Sequence, residues 1–515
     1  MDNGVGSHRE LKGLRWTLVI VAVLSPTFLY ALDNTVMANV RPSIIDTFGQ
    51  LDMITWLSVA YPMGELGANP LWGKLNHYFD SKLLYLFAVF VFEVGSAVNG
   101  SAQSMEAVIV GRAIAGAGGS GVYVGTINII TAMTTPSERA QYLNYVAMSW
   151  SLGTVLGPVV GGAFADSPAS WRWAFYLNIC VAAVSVPICL WLVPTKDKKD
   201  STSTSILSRL KKIDYLGAFL FLGGVVSIII ILGSGGADYD WNSGEMIALY
   251  VVTCVLWIAF SLQQGFNVLT VDRIFPVQLA ADWEMVILFC WTALAIANVV
   301  VTIYSLPLFF QFTFGDSSLM SAVYMLPFIM SIVVSAGIGG PLFSRYPIYM
   351  PWFTGASILM LVANGLLSSI DFSTSRGKIC GYTVLQGFGV GPVAQLGYTV
   401  GQTKASRAIT SQVTAFLTCA QMAGLALSLG ITTCVFLNYA TDDISAIIPD
   451  AGRDFIQATI NGVRTGLLQS LSATDRVLVQ QAIARDIVKG FYMNIAGAGL
   501  GLLTSLVMRR ERLLM

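Results

Sequence analysis

Four ionisable side chains sit where lipid would exclude them. Asp33, Glu65, Glu93 and Arg112 each lie inside a run of apolar residues long enough to cross a bilayer as a helix. A charge at the centre of such a helix costs about 2.5–3.5 kcal/mol. That cost is met where the group pairs, faces a water-filled cavity, or takes up a proton. The chemistry that suits these residues is therefore proton gain and loss rather than bond breaking. Asp33 lies about one turn from the outer end of its run and Arg112 about two turns from the end of its own. At 1.5 Å per residue their depths differ by roughly 5 Å, within reach of an arginine, so the two are expected to pair. The pair either exchanges a proton during a working cycle or fixes helix packing as a static ion pair. Glu65, in the middle of its run, is a second candidate for coupling or for tuning charge preference.

Other chemistries find little support. Two histidines, His8 and His77, and seven scattered cysteines offer no metal-ligand spacing, so no metal is expected. Gly116 to Gly121 spells GxGxxG, but it lies deep in an apolar run with no strand before it, so the dinucleotide reading is rejected. No GxxxxGK[ST] phosphate loop occurs. Neither an enzyme nor a bound cofactor is expected. The net charge of zero points to no nucleic-acid partner.

The elements that must position the charges follow from composition. Of 515 residues, 55% are hydrophobic and 11% charged, against about 25% charged in soluble domains. Fourteen spans are expected, near 16–36, 54–72, 83–101, 106–132, 141–165, 173–194, 214–234, 246–263, 284–311, 319–341, 351–370, 378–402, 412–438 and 489–508. With the N-terminus inside, the inner segments carry 19 Lys and Arg and the outer ones 9, which places both termini in the cytoplasm. Gly73 precedes Gly340 by 267 residues, and the glycine-rich segment 112–121 has a counterpart at 385–395. These offsets suggest a duplicated unit, as in transporters built around a central site. The organisation is read as a six-helix half over 1–194, a cytoplasmic linker over 195–213, an inserted pair over 214–263, a second linker over 264–283, and a second six-helix half over 284–515. An outer loop at 439–488 is expected to contain an amphipathic helix between Phe455 and Leu471. Gly153, Gly157 and Gly161 recur every four residues and let another helix approach closely, while Pro158 bends their helix.

Several motifs resemble the major facilitator superfamily, specifically its fourteen-spanner drug:proton antiporters and their fungal toxin and secondary-metabolite efflux branch. Leu32-Asp33-Asn34-Thr35-Val36 followed by Ala38 and Pro42 looks like LDxTxV…A…P, and Gly111 to Gly116 looks like GRAxxG. Gly153, Gly157, Pro158, Gly161 and Gly162 fit the antiporter motif GxxxGPxxGG. Trp171 to Asn178 fits WRWxFxxN, and Tyr304 to Gln311 resembles the ninth span. The resemblance covers nearly the whole chain and implies a proton-coupling role for the embedded charges. Glu93 resembles the fungal branch too; the third helix lies at the periphery of that fold, which favours structural pairing for it. The conformational latch loop departs from its pattern GxLxDxxGRK: it begins at Gly73 and places His77 at the expected Asp, Asp80 at the expected Gly and Ser81 at the expected Arg, before Lys82. Its histidine could make the latch respond to pH, or the loop could be a degenerate copy without that role. The spans that line the cavity in this fold carry Asn34, Trp56, Tyr61, Trp150, Tyr304, Gln311, Gln395 and Gln421 as candidate substrate contacts.

The expectation is an all-α integral membrane protein of major-facilitator type, with two six-helix halves, an inserted pair and 14 transmembrane helices. It would act as a proton-coupled exporter of small organic molecules by alternating access. The alternatives are an importer or facilitator of the same fold, and a non-transporting membrane sensor. The expected partners are a small-molecule substrate, protons and the lipid bilayer. A monomer is expected in the cell membrane, with the vacuolar membrane the alternative.

Overall fold

The computed structural model describes residues 13–50, 53–165, 167–168, 170–194, 206–236, 239–270, 272–406, 409–449, 452, 456 and 472–513. Among these, regular structure is helical apart from isolated bridges. In chain order the first set comprises α1 (Gly13–Phe48), α2 (Ile54–Tyr78), α3 (Ser81–Ser101), α4 (Met105–Met133), α5 (Pro136–Ala165) and α6 (Trp173–Leu192). Then come α7 (Ile206–Leu210), α8 (Tyr215–Ser234), α9 (Gly244–Phe266) and α10 (Val277–Ala280). The second set comprises α11 (Trp283–Phe314), α12 (Ser318–Val323), α13 (Leu326–Arg345), α14 (Tyr349–Leu367), α15 (Arg376–Val390), α16 (Leu396–Lys404), α17 (Thr410–Ile447) and α18 (Ala473–Val507).

Twelve helices among the described residues are long and apolar enough to cross a membrane. Two of the fourteen expected spans fall outside that group, for different reasons. The first, at 54–72, forms as α2, but Glu65, Asn69 and Lys74 lower its apolarity. These three are 1%, 0% and 5% exposed, because α2 packs against α4, α17 and α8 rather than facing lipid. The second, at 378–402, is not one helix: a 3₁₀ turn at Gly391–Val393 separates α15 from α16. Pro392 within it removes a backbone donor.

Helix ends follow local chemistry. Asp80 caps α3, accepting from the backbone N–H of Lys82 at 2.9 Å and Leu83 at 3.0 Å. Asp214 caps α8 and also binds the side-chain amides of Gln263 and Gln264 from α9, which ties α8 and α9 into a hairpin. That hairpin lies beside α2 and α17. The loop expected over 439–488 is shorter at both ends, since α17 runs to Ile447 and α18 begins at Ala473. The amphipathic helix expected there lies outside the described residues except for Ile456, which is buried. Residues 195–205 of the first expected linker are likewise outside them.

The seam between the sets uses the same contact twice. On α2, a Cβ added at Gly73 would come within 2.1 Å of Ala415 Cβ on α17. On α13, one added at Gly340 would come within 2.9 Å of Gln141 Cα on α5. Asn69 donates to the Ala415 carbonyl at 3.1 Å, and Asn144 donates to the Ala336 carbonyl at 2.9 Å. The two glycines singled out by their 267-residue offset therefore do equivalent work, letting a helix of one set press on a helix of the other.

Candidate functional site

Asp33 and Arg112 meet. Arg112 Nη1 lies 2.6 Å from Asp33 Oδ2, and both side chains are buried. The same nitrogen donates to the Asp33 carbonyl at 3.1 Å. Asn178, the last residue of the motif at 171–178, donates to Asp33 Oδ1 at 3.4 Å and to Ser96 at 3.0 Å. Side chains of α4 and α6 thus meet the carboxylate carried by α1, and Ser96 of α3 braces Asn178, so four helices hold the site. Asp33 lies one turn from Met37, where the apolar span of α1 ends, although the helix itself continues to Phe48.

The charge site extends toward the seam through tyrosines. The Arg112 guanidinium stacks on the Tyr61 ring, 4.0 Å from its centroid. Tyr61 Oη donates to the Tyr30 carbonyl at 3.2 Å. Tyr30 Oη donates to Glu65 and lies 3.2 Å from Met422 Sδ on α17 of the second set. Tyr123, 6.1 Å from Tyr30 by ring centroids, receives hydrogen bonds from Gln395 at 2.7 Å and Gln421 at 2.9 Å. Tyr398 donates to Gln421 at 2.7 Å. A line of buried polar groups therefore runs from Asp33 across the seam.

The second set carries a neutral counterpart on its own first, third, fourth and sixth long helices. Asn364 on α14 donates to Asn298 Oδ1 on α11 at 2.6 Å, and Gln386 on α15 donates to the Asn298 carbonyl at 3.1 Å. Asn494 on α18 donates to Asn364 Oδ1 at 3.3 Å. Amides occupy the positions that the first set gives to an acid and a base.

The other sequence candidates divide. Trp150, Gln395 and Gln421 line one cavity of about 40 Å³ between the sets, with Tyr123 and Thr292. That is room for water but far below the roughly 300–1,000 Å³ of a small-molecule site, so the sets are closed on each other here. Tyr61 belongs to the charge site instead, and half-buried Tyr304 lies in the field of Arg112 and Glu65. Trp56, expected in the cavity, is 44% exposed near the start of α2, where an interfacial tryptophan belongs. Half-buried Asn34 and Gln311 do not line this cavity. Structural pairing expected for Glu93 is not found: neither carboxylate oxygen has a hydrogen-bond partner among the described residues.

Packing accounts for the antiporter motif. A Cβ on Gly153 would come within 2.3 Å of the Phe28 carbonyl, one on Gly157 within 2.0 Å of Thr35 Oγ1, and one on Gly161 within 2.7 Å of the Val36 carbonyl. At Gly162 the nearest atom would be Asn39 Nδ2 at 3.3 Å. Pro158 has no N–H for the Thr154 carbonyl one turn back, and Thr35 Oγ1 donates to that carbonyl at 2.8 Å. Asn39 donates to the Pro158 carbonyl at 2.9 Å. The helix that carries Asp33 thus supplies the donor that Pro158 denies to α5.

At the latch loop, Lys74 makes a bridge to the segment before α11. Lys74 Nζ lies 2.5 Å from Asp272 Oδ1 in the segment before α11, and Tyr78 also donates to Asp272. His77 packs edge-on against Tyr78 at 5.1 Å and adds its field at Asp272. Asp80 is the α3 cap, and Lys82 Nζ donates to the Leu190 carbonyl at 2.7 Å. Burial pushes the Asp272 carboxyl up, but the Lys74 and Tyr78 hydrogen bonds and the Lys74 and His77 charges outweigh it and hold it below its ordinary value. A carboxylate held low stabilises above its ordinary value and loses that contribution only in acid. Asp272→Asn should therefore cost about 1–3 kcal/mol, allowing for solvent at the partly exposed Asp272. Thermal unfolding in detergent should show the loss at both pH 6 and pH 8, with any excess at pH 6 measuring the His77 charge. No loss at either pH would leave the Lys74–Asp272 contact without weight in stability.

A buried charge pair, a seam between two sets of helices and a small, mostly apolar cavity within a bundle of membrane-length helices are the parts that a multi-pass membrane transporter needs. The model of the Major Facilitator Superfamily matches residues 23–429, and the chain belongs to that superfamily. It is 39% identical over 514 residues to the MFS-type transporter pgmG of Aspergillus terreus, covering 99% of this chain and 91% of that protein. It is 38% identical to the phomenoic acid biosynthesis cluster MFS-type transporter of Leptosphaeria maculans, covering 98% and 83%. To the efflux pump alnA of Emericella nidulans it is 37% identical, covering 98% and 92%. Among solved structures it resembles the human organic anion transporter MFSD10, with a TM-score of 0.58 at 15% identity over 91% of this chain and 100% of that one. The resemblance to the fungal efflux branch stands on these relatives.

Proposed function

We propose that this chain is a proton-coupled exporter of small organic molecules, of the toxin or secondary-metabolite kind, working by alternating access. The observation that carries the reading is the buried Asp33–Arg112 pair, held by four helices and linked through Tyr61 and Tyr30 to the seam. A carboxylate and a guanidinium stabilise each other in the pair. Separating them when the helices move leaves an isolated charge in a dry site, and a proton on Asp33 relieves it. The relatives named as efflux pumps support the direction of transport, and the neutral amides of the second set support confining coupling to the first. One proton entering down 100 mV and one pH unit supplies about 3.7 kcal/mol, enough for a roughly 500-fold substrate gradient at one-to-one coupling.

In this reading α2 and the broken stretch Arg376–Lys404 complete the bundle, which makes fourteen spans in two six-helix halves with α8 and α9 inserted. Both termini are cytoplasmic. The Lys74–Asp272 and Gly73–Ala415 contacts then close the cytoplasmic side. The protein works as a monomer in the cell membrane, without a bound cofactor.

Glu65 is the second protonatable group, because it faces the seam and Tyr30 ties it to α17. Glu65→Gln should lower efflux about tenfold and shift its pH profile, read in vesicles at a series of imposed pH values. An unchanged profile would leave Glu65 a packing residue. Cargo is found by presenting a metabolite extract of the producing strain to inside-out vesicles and measuring by mass spectrometry what accumulates. No accumulation under an imposed proton gradient, with entry by facilitated diffusion instead, would overturn the exporter reading.

A further inference from the structure

The cavity at the seam is walled by neutral side chains only. Two of them hold a polar group without a hydrogen-bond partner among the described residues. Trp150 on α5 is 6% exposed, and its indole Nε1–H makes no hydrogen bond. Gln395, between the 3₁₀ turn and α16, is 3% exposed. Its amide nitrogen is committed to Tyr123 Oη at 2.7 Å, while its carbonyl Oε1 has no partner. Tyr123 in turn directs its own proton to Gln421 Oε1 at 3.1 Å, so Gln395 meets it with the amide nitrogen and turns Oε1 to the cavity.

Buried polar atoms nearly always find partners, and leaving one bare is costly. Here a bare donor and a bare acceptor stand at the same cavity, one from each set of helices. The remaining walls are mostly apolar, including Ala147, Ile296, Val299 and Ile332. Opening the seam to admit a ligand exposes both groups to it. A charged ligand would find no countercharge on these walls and would keep its full desolvation cost.

We infer that the substrate is uncharged, and that it offers a hydrogen-bond acceptor to Trp150 Nε1 and a donor to Gln395 Oε1 across the seam. A largely apolar hydroxy ketone or hydroxy lactone has this chemistry. The inference rests on the transporter reading above, but its test needs no gradient. Failure of proton coupling would therefore leave the binding pattern intact.

The test is equilibrium binding of naphthalene probes to the purified full-length protein in detergent. The probe 6-acetyl-2-naphthol carries both groups, 2-acetylnaphthalene an acceptor alone, 2-methylnaphthalene neither, and 6-hydroxy-2-naphthoate an anion. The hydroxy ketone should bind about tenfold more tightly than 2-acetylnaphthalene, and the anion at least tenfold more weakly than the hydroxy ketone. Trp150→Phe should weaken both acetyl compounds about tenfold and leave 2-methylnaphthalene unchanged. Gln395→Met should reduce the hydroxy ketone to the level of 2-acetylnaphthalene and no further. Three results would each overturn the inference: no saturable binding of the hydroxy ketone, equal affinity for the anion, or variants that weaken every probe alike.

Discussion

Asp33→Asn is expected to reduce gradient-driven accumulation from as much as a few hundred-fold to none, while the protein still reaches the membrane. Asparagine keeps the size of the side chain and can still meet Asn178, which lies 3.4 Å from Asp33 Oδ1. It cannot gain and lose a proton. It also leaves Arg112 buried without its countercharge, a penalty of about 3–5 kcal/mol when a buried pair is broken from one side. The single variant alone would therefore confuse lost coupling with lost stability. The double variant Asp33→Asn/Arg112→Gln separates them, because it removes both charges and leaves two amides, as the second set already has in Asn298 and Gln386. Thermal stability should recover in the double variant and uphill transport should not. If uphill transport recovers too, the pair is a static packing element.

The second large effect is at Gly157. A methyl group there would meet Thr35 Oγ1 at 2.0 Å and the Leu32 carbonyl at 2.8 Å. Gly157→Ala must therefore push α1 and α5 apart, at about 1–3 kcal/mol of overpacking. It also breaks the bond from Thr35 to the Thr154 carbonyl that Pro158 leaves open. Efflux should fall at least tenfold, and Gly157→Val should abolish it. Thr35→Ala introduced with Gly157→Ala removes the nearer clash and should restore part of the activity. Efflux from whole cells at matched protein level measures all three, and unimpaired Gly157→Ala would mean that the α1–α5 contact does not set the rate.

What could be read from sequence follows a physical line. Charges in apolar runs are rare and costly, so Asp33 and Arg112 were visible as a pair before any contact was known. Glycines at four-residue spacing with Pro158 were visible for the same kind of reason. Tyr30 and Tyr123 were not, because a tyrosine in a span carries no such penalty. The one available signal was that Tyr30 stands three residues before Asp33, on the same helix face. Asp272 was hidden because its partner Lys74 is 198 residues away in sequence and no local pattern joins them. The loop motif pointed to His77 instead. Trp56 was assigned to the cavity by its helix alone, although its place near a helix end also suits an interface. The break at Gly391–Val393 had a signal in Gly391-Pro392, which the run of apolar residues around it masked.

The most direct measurement is proton movement driven by substrate. Liposomes containing the purified protein and an internal pH dye, with no imposed proton gradient, receive a step of the metabolite identified by the extract screen. Antiport at Asp33 predicts that substrate entering drives protons out, so the lumen becomes more alkaline with wild-type protein and stays constant with Asp33→Asn. Substrate entry at the wild-type rate without any change in luminal pH would contradict the account.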